Sequence, residues 1–265
     1  MIFGPADRLS FAVGSLQATA TVRSHYQRLW ASRTNQTISE SQFTSQLTKV
    51  HFIATKILRQ LENILDHWQQ SLQIVPQSAW RRWNLHETVP GSLFTERNCG
   101  LLKTAFSFPN IGEYHLMSIG RTAAMILHLL HCDILKSLPV STAASTTGFI
   151  RDGTPAPDIS KSYRAHRTSL VMHAGCVIQA IPYAAQSEIF AMAPVCFTPS
   201  FRVARVALAK EYEMLLVENE SGVNGPLLVV CGGLRDLVDQ HIEWVTGQKI
   251  AVKVDFDATW PRSAT

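Results

Sequence analysis

The sequence carries little charge. Only 17% of its 265 residues are Asp, Glu, Lys or Arg, against 46% hydrophobic, where about 25% charged is usual for a globular domain. Much of the surface is therefore neutral, and some of it is open to cover by a partner or by further chain. Charge of one sign is scarce too: 24 Lys plus Arg face 20 Asp plus Glu, for a net charge of +4. The basic residues form only short groups, namely Arg81-Arg82, then Lys161, Arg164 and Arg167, then Arg202 and Arg205. A dedicated nucleic-acid binder gathers Lys and Arg on one face, so direct, sequence-specific DNA binding is not expected. The five cysteines, Cys99, Cys132, Cys176, Cys196 and Cys231, are odd in number, evenly spread and free of any CxxC spacing. That excludes a zinc knuckle and a CxxC redox motif. Each thiol reads as a small buried hydrophobe in a reducing, intracellular setting, nucleus or cytoplasm.

Other signals are missing as well. The start, Met1-Ile2-Phe3-Gly4-Pro5-Ala6-Asp7-Arg8, lacks the basic head and apolar run of a signal peptide. No segment offers the roughly 18 uninterrupted apolar residues of a membrane span. The most apolar stretch is broken by Glu113, Arg121 and Asp133 and by His115, His128 and His131, so no membrane role is expected. There is no GxGxxG, no GxxxxGK followed by Ser or Thr, no HExxH and no GxSxG. His128 and His131 share a helix face beside Cys132, but no carboxylate completes a known ligand spacing. Gly232-Gly233 reads as a place of close helix packing rather than a phosphate loop. No cofactor and no metal are expected, no catalytic residue is selected, and the chain leans away from an enzyme.

Helical periodicity is what the sequence does have. From Val50, apolar residues fall at Ile53, Ala54, Ile57, Leu58, Leu61, Ile64, Leu65, Trp68 and Leu72, a stripe at i, i+3, i+4 and i+7. Ser39 and Gln42 have capping-box spacing, and Val75-Pro76 closes the segment, which predicts a helix over 40–73. An earlier helix over about 9–32 draws on Leu9, Val13, Leu16, Ala20, Tyr26, Leu29 and Trp30. Asn110 and Glu113 make a second capping box. They open a helix over 111–137 that is apolar on most sides and hence central. Residues 139–160 are rich in Ser, Thr, Gly, Pro and Ala and read as a long loop within one domain over 1–265, or as a boundary between two sub-bundles. Ser160 caps a helix over 160–181 that Pro182 ends or kinks. Pro199 starts one over 200–216. Leu227 to Cys231 suits a buried strand or a helix, and the continuing stripe through Leu234, Leu237, Val238, Ile242 and Val245 favours a helix over 227–246. The tail, about 248–265, alternates Ile250, Val252, Val254 and Phe256 and reads as strand-like. The fold class is all-α, an irregular multi-helix array.

Some of these segments resemble a known family. Ala174-Gly175-Cys176-Val177-Ile178-Gln179-Ala180-Ile181-Pro182-Tyr183 is followed by Ala193-Pro194-Val195-Cys196-Phe197-Thr198-Pro199-Ser200-Phe201-Arg202-Val203-Ala204. This resembles the C-terminal part of the helical regulatory domain of fungal binuclear zinc cluster transcription factors. There, a helix ending in an Ile-Cys-x-Ser-Ile/Val-Pro-Tyr-like run precedes a Gly/Ala-Pro step and a Phe-Pro-x-Arg-x-Ala-like helix. Phe108-Pro109-Asn110 with the helix that follows, and Leu61 to Trp68, are similar to that domain's other helices. The resemblance spans about 40–245 and rests on packing motifs. The six-cysteine zinc cluster that reads DNA in the family has no counterpart, since no cysteine precedes Cys99; DNA binding does not carry over. The chain is expected to be either a fragment or a stand-alone relative.

Two readings follow. The resemblance implies a regulatory or interaction module, tied to control of secondary metabolism, that works through protein partners. The alternative is a stand-alone helical protein that binds or converts an apolar small metabolite in a fungal biosynthetic pathway. The first predicts a filled core and an apolar outer patch, the second an enclosed cavity with a few polar groups. Six Trp and twelve Phe supply enough aromatic surface for either. The join at Ile181-Pro182-Tyr183, with Phe197, Phe201 and Arg202 soon after, marks a packing corner or a pocket rim.

Overall fold

The computed structural model describes residues 5–138, 159–186, 193–219 and 225–247. They are 82% helical, with one two-stranded sheet, so the chain is an all-α multi-helix array. In order come α1 (Pro5–Thr34), α2 (Glu40–Gln70), β1 (Gln73–Pro76), α3 (Gln77–Trp80), α4 (Glu96–Leu101), β2 (Thr104–Ser107), α5 (Ile111–Ser137), α6 (Ile159–Ile178), α7 (Ile181–Ala184), α8 (Ala193–Glu218) and α9 (Gly225–Gly247). The expected tail over 248–265 and most of the expected loop, 139–158, lie outside the described residues.

α5 is the axis of the fold. Asn110 caps it by accepting from the Glu113 amide at 2.9 Å. Residues 120–132 are all buried, because α1, α2, α6 and α8 each pack on a different side. α2 comes so close at Gly120 that a Cβ there would meet Leu65 Cδ2 at 2.8 Å. Elements from both sides of the 139–158 segment share one continuous hydrophobic cluster. The Glu113 side chain does not complete a capping box of the kind seen at Ser39 and Gln42. It accepts from Arg8 Nη1 at 2.7 Å and Trp68 Nε1 at 2.9 Å instead, tying α1 and α2 to the positive end of α5.

Four expectations are corrected. α1 buries Ala12, Ser15, Thr19, Val22, Tyr26 and Leu29, while Leu9, Val13 and Leu16 are exposed. The buried stripe has helical period, but its first turns carry small and hydroxyl residues that let α1 lie close to its neighbours. β1 and β2 pair antiparallel, with Val75 opposite Ala105, where no strand is predicted. α8 begins at Ala193, so Pro199 lies inside the helix. Pro194 takes the first turn, where a missing amide proton costs nothing. α6 starts one residue before Ser160 and stops at Ile178; the chain restarts at Ile181 with Pro182 in the first turn of α7.

α9 is a helix through both glycines. A Cβ at Gly233 would meet Leu101 Cδ1 at 2.9 Å, and one at Gly232 would meet Tyr212 Cε2 at 3.3 Å, so the pair admits α4 and α8. Their helix-propensity cost of roughly 2 kcal/mol is offset by that packing. Glu113→Ala is expected to lower stability by about 1.5–3 kcal/mol, the range for hydrogen bonds to a charged group. Urea unfolding should show a lower midpoint at unchanged slope; a change below about 0.5 kcal/mol would refute the tie.

Candidate functional site

Three helices interrupt their inward faces with a polar pair seven residues apart: Glu62 and Gln69 on α2, Arg121 and His128 on α5, His166 and His173 on α6. Seven residues is two turns, so each pair lies on one face. Packing α2 and α6 against α5 brings the three pairs together.

Arg121 is 2% exposed. Its Nη1 lies 2.6 Å from His173 Nδ1, and its Nη2 donates to Gln69 Oε1. Both acceptors are neutral, an uncommon setting for a buried guanidinium. Burial lowers the Arg121 pKa, and the carboxylates of Asp66 and Glu62 offset that through space. Cys176 Sγ reaches the same Gln69 oxygen at 3.7 Å.

His128 Nε2 lies 3.1 Å from Glu62 Oε1, close but poorly aligned for a hydrogen bond. On its other side Nδ1 faces His166 Nδ1 at 3.0 Å, so one of these two nitrogens carries a proton and the other accepts it. His131 stacks on His166, centroids 4.4 Å apart and planes 6° apart, and His51 meets His131 edge-on at 4.9 Å. Burial, helped by the neighbouring imidazoles, pushes His131 down to about 2 and His166 to about 4. Burial and then Arg121 push His173 to about 2, and burial lowers His51. These four rings are neutral at physiological pH, so the cluster presents imidazole lone pairs beside one carboxylate. Glu62, His128 and His173 each place a ligand atom within 4.8 Å of the other two.

The residues singled out around Pro182 separate into two groups. Tyr183 is buried in an aromatic corner with Phe108, centroids 5.0 Å apart, and Tyr114, stacked at 5.7 Å. The corner is held by backbone bonds from the Phe106 amide to the Gln179 carbonyl and from the His86 amide to the Ala185 carbonyl. Phe201 packs instead on His241, at 4.2 Å, which in turn meets Trp244 at 5.3 Å. Arg202 is half-buried on α8, and the Phe197 side chain lies outside the described residues. Beside Tyr114 and Arg121 a crevice of about 10 Å³ has room for about one water.

The sequence pairs His128 with His131, and the fold sets His166 against both, while Glu62 meets His128 and His51 meets His131. Glu62, Gln69, Arg121, His166 and His173 go unnoticed in sequence because no two of them on different helices stand at a motif spacing. The signal that finds them is the same i, i+7 polar interruption on three helices. Comparison with known proteins finds no matching family model, no matching curated protein and no matching solved structure.

Two outcomes are expected. The histidines have folded pKa values below the 6.5 of a free imidazole, so the unfolded chain binds protons first. Their stabilisation is complete above about pH 6.5 and is lost as pH falls, through about 4 for His166 and towards about 2 for His131 and His173. Each contributes a slope of at most about 1.4 kcal/mol per pH unit. The thermal midpoint should drop steadily from pH 7 to 5, and a flat profile would count against a neutral cluster. Tyr183→Phe should cost at most about 1–2 kcal/mol, whereas Tyr183→Ala should cost about 3–5 kcal/mol for the emptied corner; equal costs would mean the ring does not pack as described.

Proposed function

We propose that this chain is a regulatory or interaction module of the kind found in fungal binuclear zinc cluster transcription factors, acting through a protein partner. The observation that carries the reading is the contrast between interior and surface. Among the described residues the crevice beside Arg121 has room for about one water, and a hollow of about 100 Å³ beside Leu129, Cys132 and Leu170 is rimmed by the charged Asp133, Arg167, Lys210 and Glu211. A hollow of about 480 Å³ lies between α1 and α2 among the exposed side chains of Thr21, His25, Gln46, Lys49 and Ile53. A metabolite-handling protein needs an enclosed cavity, and that reading gains no support.

Apolar surface gathers elsewhere. α8 and α9 run antiparallel, as the Arg205–Asp239 ion pair at 2.6 Å and the stacking of Arg235 on Tyr212 at 4.9 Å require. Leu216 and Val217 on the last turns of α8 and Leu227, Val229 and Val230 on the first turns of α9 fall at the same end of this pair, all five exposed. Exposed apolar side chains gathered at one end of a helix pair are what an interaction surface needs. Part of the basic surface is taken up by ion pairs. Arg167 is paired with Glu211 and Glu218, and Arg205 with Asp239. No described helix is long and apolar enough to cross a membrane.

Fused to an unrelated DNA-binding domain in a fungal reporter strain, the chain should change transcription. The double variant Val217→Asp, Val229→Asp should reduce that effect at least about fivefold. Its thermal midpoint should stay nearly unchanged, because exposed substitutions usually move stability by less than about 0.5 kcal/mol each. A fusion with no effect on the reporter, or a variant as active as the parent, would overturn the reading.

A further inference from the structure

We propose that Glu62, His128 and His173 form a site for one divalent transition-metal ion of the zinc class, shared by α2, α5 and α6. Two imidazoles and a carboxylate are the ligand types that such ions take. Metal–ligand bonds of about 2.0–2.2 Å place ligand atoms roughly 3.3 Å apart in a tetrahedron. Glu62 Oε1 and His128 Nε2, 3.1 Å apart, already match, and His173 stands within 4.8 Å of both.

An independent observation points the same way. His173 is completely buried, and its Nε2 has no hydrogen-bond partner. An orphaned buried N–H costs about 1–3 kcal/mol, a cost that ends when an ion takes the place of its proton. His128 is prepared in the usual manner of metal ligands, its far nitrogen held by a neighbour: with Nδ1 donating to His166 Nδ1, the lone pair on Nε2 is free for the ion. Glu62 is half-exposed, with 32% of its side chain accessible, which gives an ion an entry path from solvent.

His173 also sets the kind of ion. Arg121 can only donate, so His173 Nδ1 accepts from it and the ring proton sits on Nε2. Metal uptake replaces that proton, which leaves to solvent, and the imidazolate is held between the ion and the Arg121 guanidinium. The ion's two positive charges meet those of Glu62 and the imidazolate. Displacing an imidazole proton demands a strong Lewis acid, so Zn²⁺ and Cu²⁺ fit, while Mg²⁺ and Ca²⁺, which prefer oxygen ligands, do not.

The inference goes beyond the regulatory reading and stands or falls separately from it. Chelator-stripped protein titrated by calorimetry should take up one Zn²⁺ per chain and no Mg²⁺. Glu62→Gln and His173→Asn should each weaken Zn²⁺ binding at least about tenfold, with helicity unchanged by circular dichroism. Replacing the exposed His25 and His67 by Ala should change nothing. Should His173→Asn fail to fold, Glu62→Gln decides alone, since Glu62 sits at the half-exposed edge. Absence of stoichiometric Zn²⁺ binding, full affinity in Glu62→Gln, or loss of binding with His25 and His67 would overturn the site.

Discussion

The burial of α5 on every side is the constraint from which the rest of the arrangement follows. Over residues 120–132 no position of this helix reaches solvent, and its backbone groups are satisfied within the helix. Its side chains have no such internal solution. Most of the polar ones reach partners on other helices, because an unpaired polar group in an apolar interior costs about as much as a lost hydrogen bond or more. Thr122 and Ser200 therefore stand 2.9 Å apart and share the Ser118 carbonyl, fixing α8. Arg121 fixes α2 through Gln69 and α6 through His173, and His128 fixes α6 through His166. At the head of the helix, Glu113 does the same for α1 and α2. The apolar contacts supply most of the energy, and they are non-directional. The polar contacts choose one rotation and one register for each neighbour.

That choice has an electrostatic consequence. Arg121 is the buried cation at the centre of the array, and nothing bonded to it is charged. Burial keeps His51, His131 and His166 neutral, with neighbouring imidazoles adding to it at the last two, and at His173 burial is joined by Arg121. A buried charge of this sort is weak evidence for stability, since an apolar replacement is often as stable. Its effect is selective: it admits negative charge or electron pairs and resists protons. Glu62 and Asp66, on the open side of α2, face this centre. The polarity of the site thus runs from an acidic rim at Glu62 and Asp66 to a cationic floor at Arg121, with imidazoles between.

How far the sequence reveals this depends on how strongly each element's stripe stands out. α2 and α5 have long apolar stripes and recognisable caps at Ser39 and Asn110, and their predicted limits fall within a few residues of the observed ones. α1 has helical period but two competing faces, and size alone favours Leu9, Val13 and Leu16 over Ala12, Ser15 and Thr19. The close approach of neighbouring helices reverses that preference, and only the tertiary structure shows it. Two four-residue strands leave no periodic trace, and Pro199 reads as a helix start because its cost inside a helix is repaid by packing invisible in the sequence. At the site, Pro182 lies at the break between α6 and α7, and Tyr183 follows it into the aromatic packing. Its partners Phe108 and Tyr114, roughly 70 residues away, carry no such mark, and neither do the five polar residues around His128, whose significance arises only when three helices meet.

The remaining feature to explain is the apolar end of the α8–α9 pair. On α9 the buried stripe runs Cys231, Gly233, Leu237, Val238, His241, Trp244 and Val245, which is all that packing against α8 and α4 requires. Leu227 and Val230 extend this stripe towards the helix start and Val229 lies off it, all three exposed, and Leu216 and Val217 are exposed on the last turns of α8. A scattered exposed Leu needs no explanation. Five β-branched or leucine side chains exposed at one end of a helix pair are different, because the fold does not bury them. The proposed partner, covering this corner, would match the low charge content of the chain. That cover would leave the polar cluster between α2, α5 and α6 untouched, so the proposed partner binding and the proposed ion binding can be tested separately.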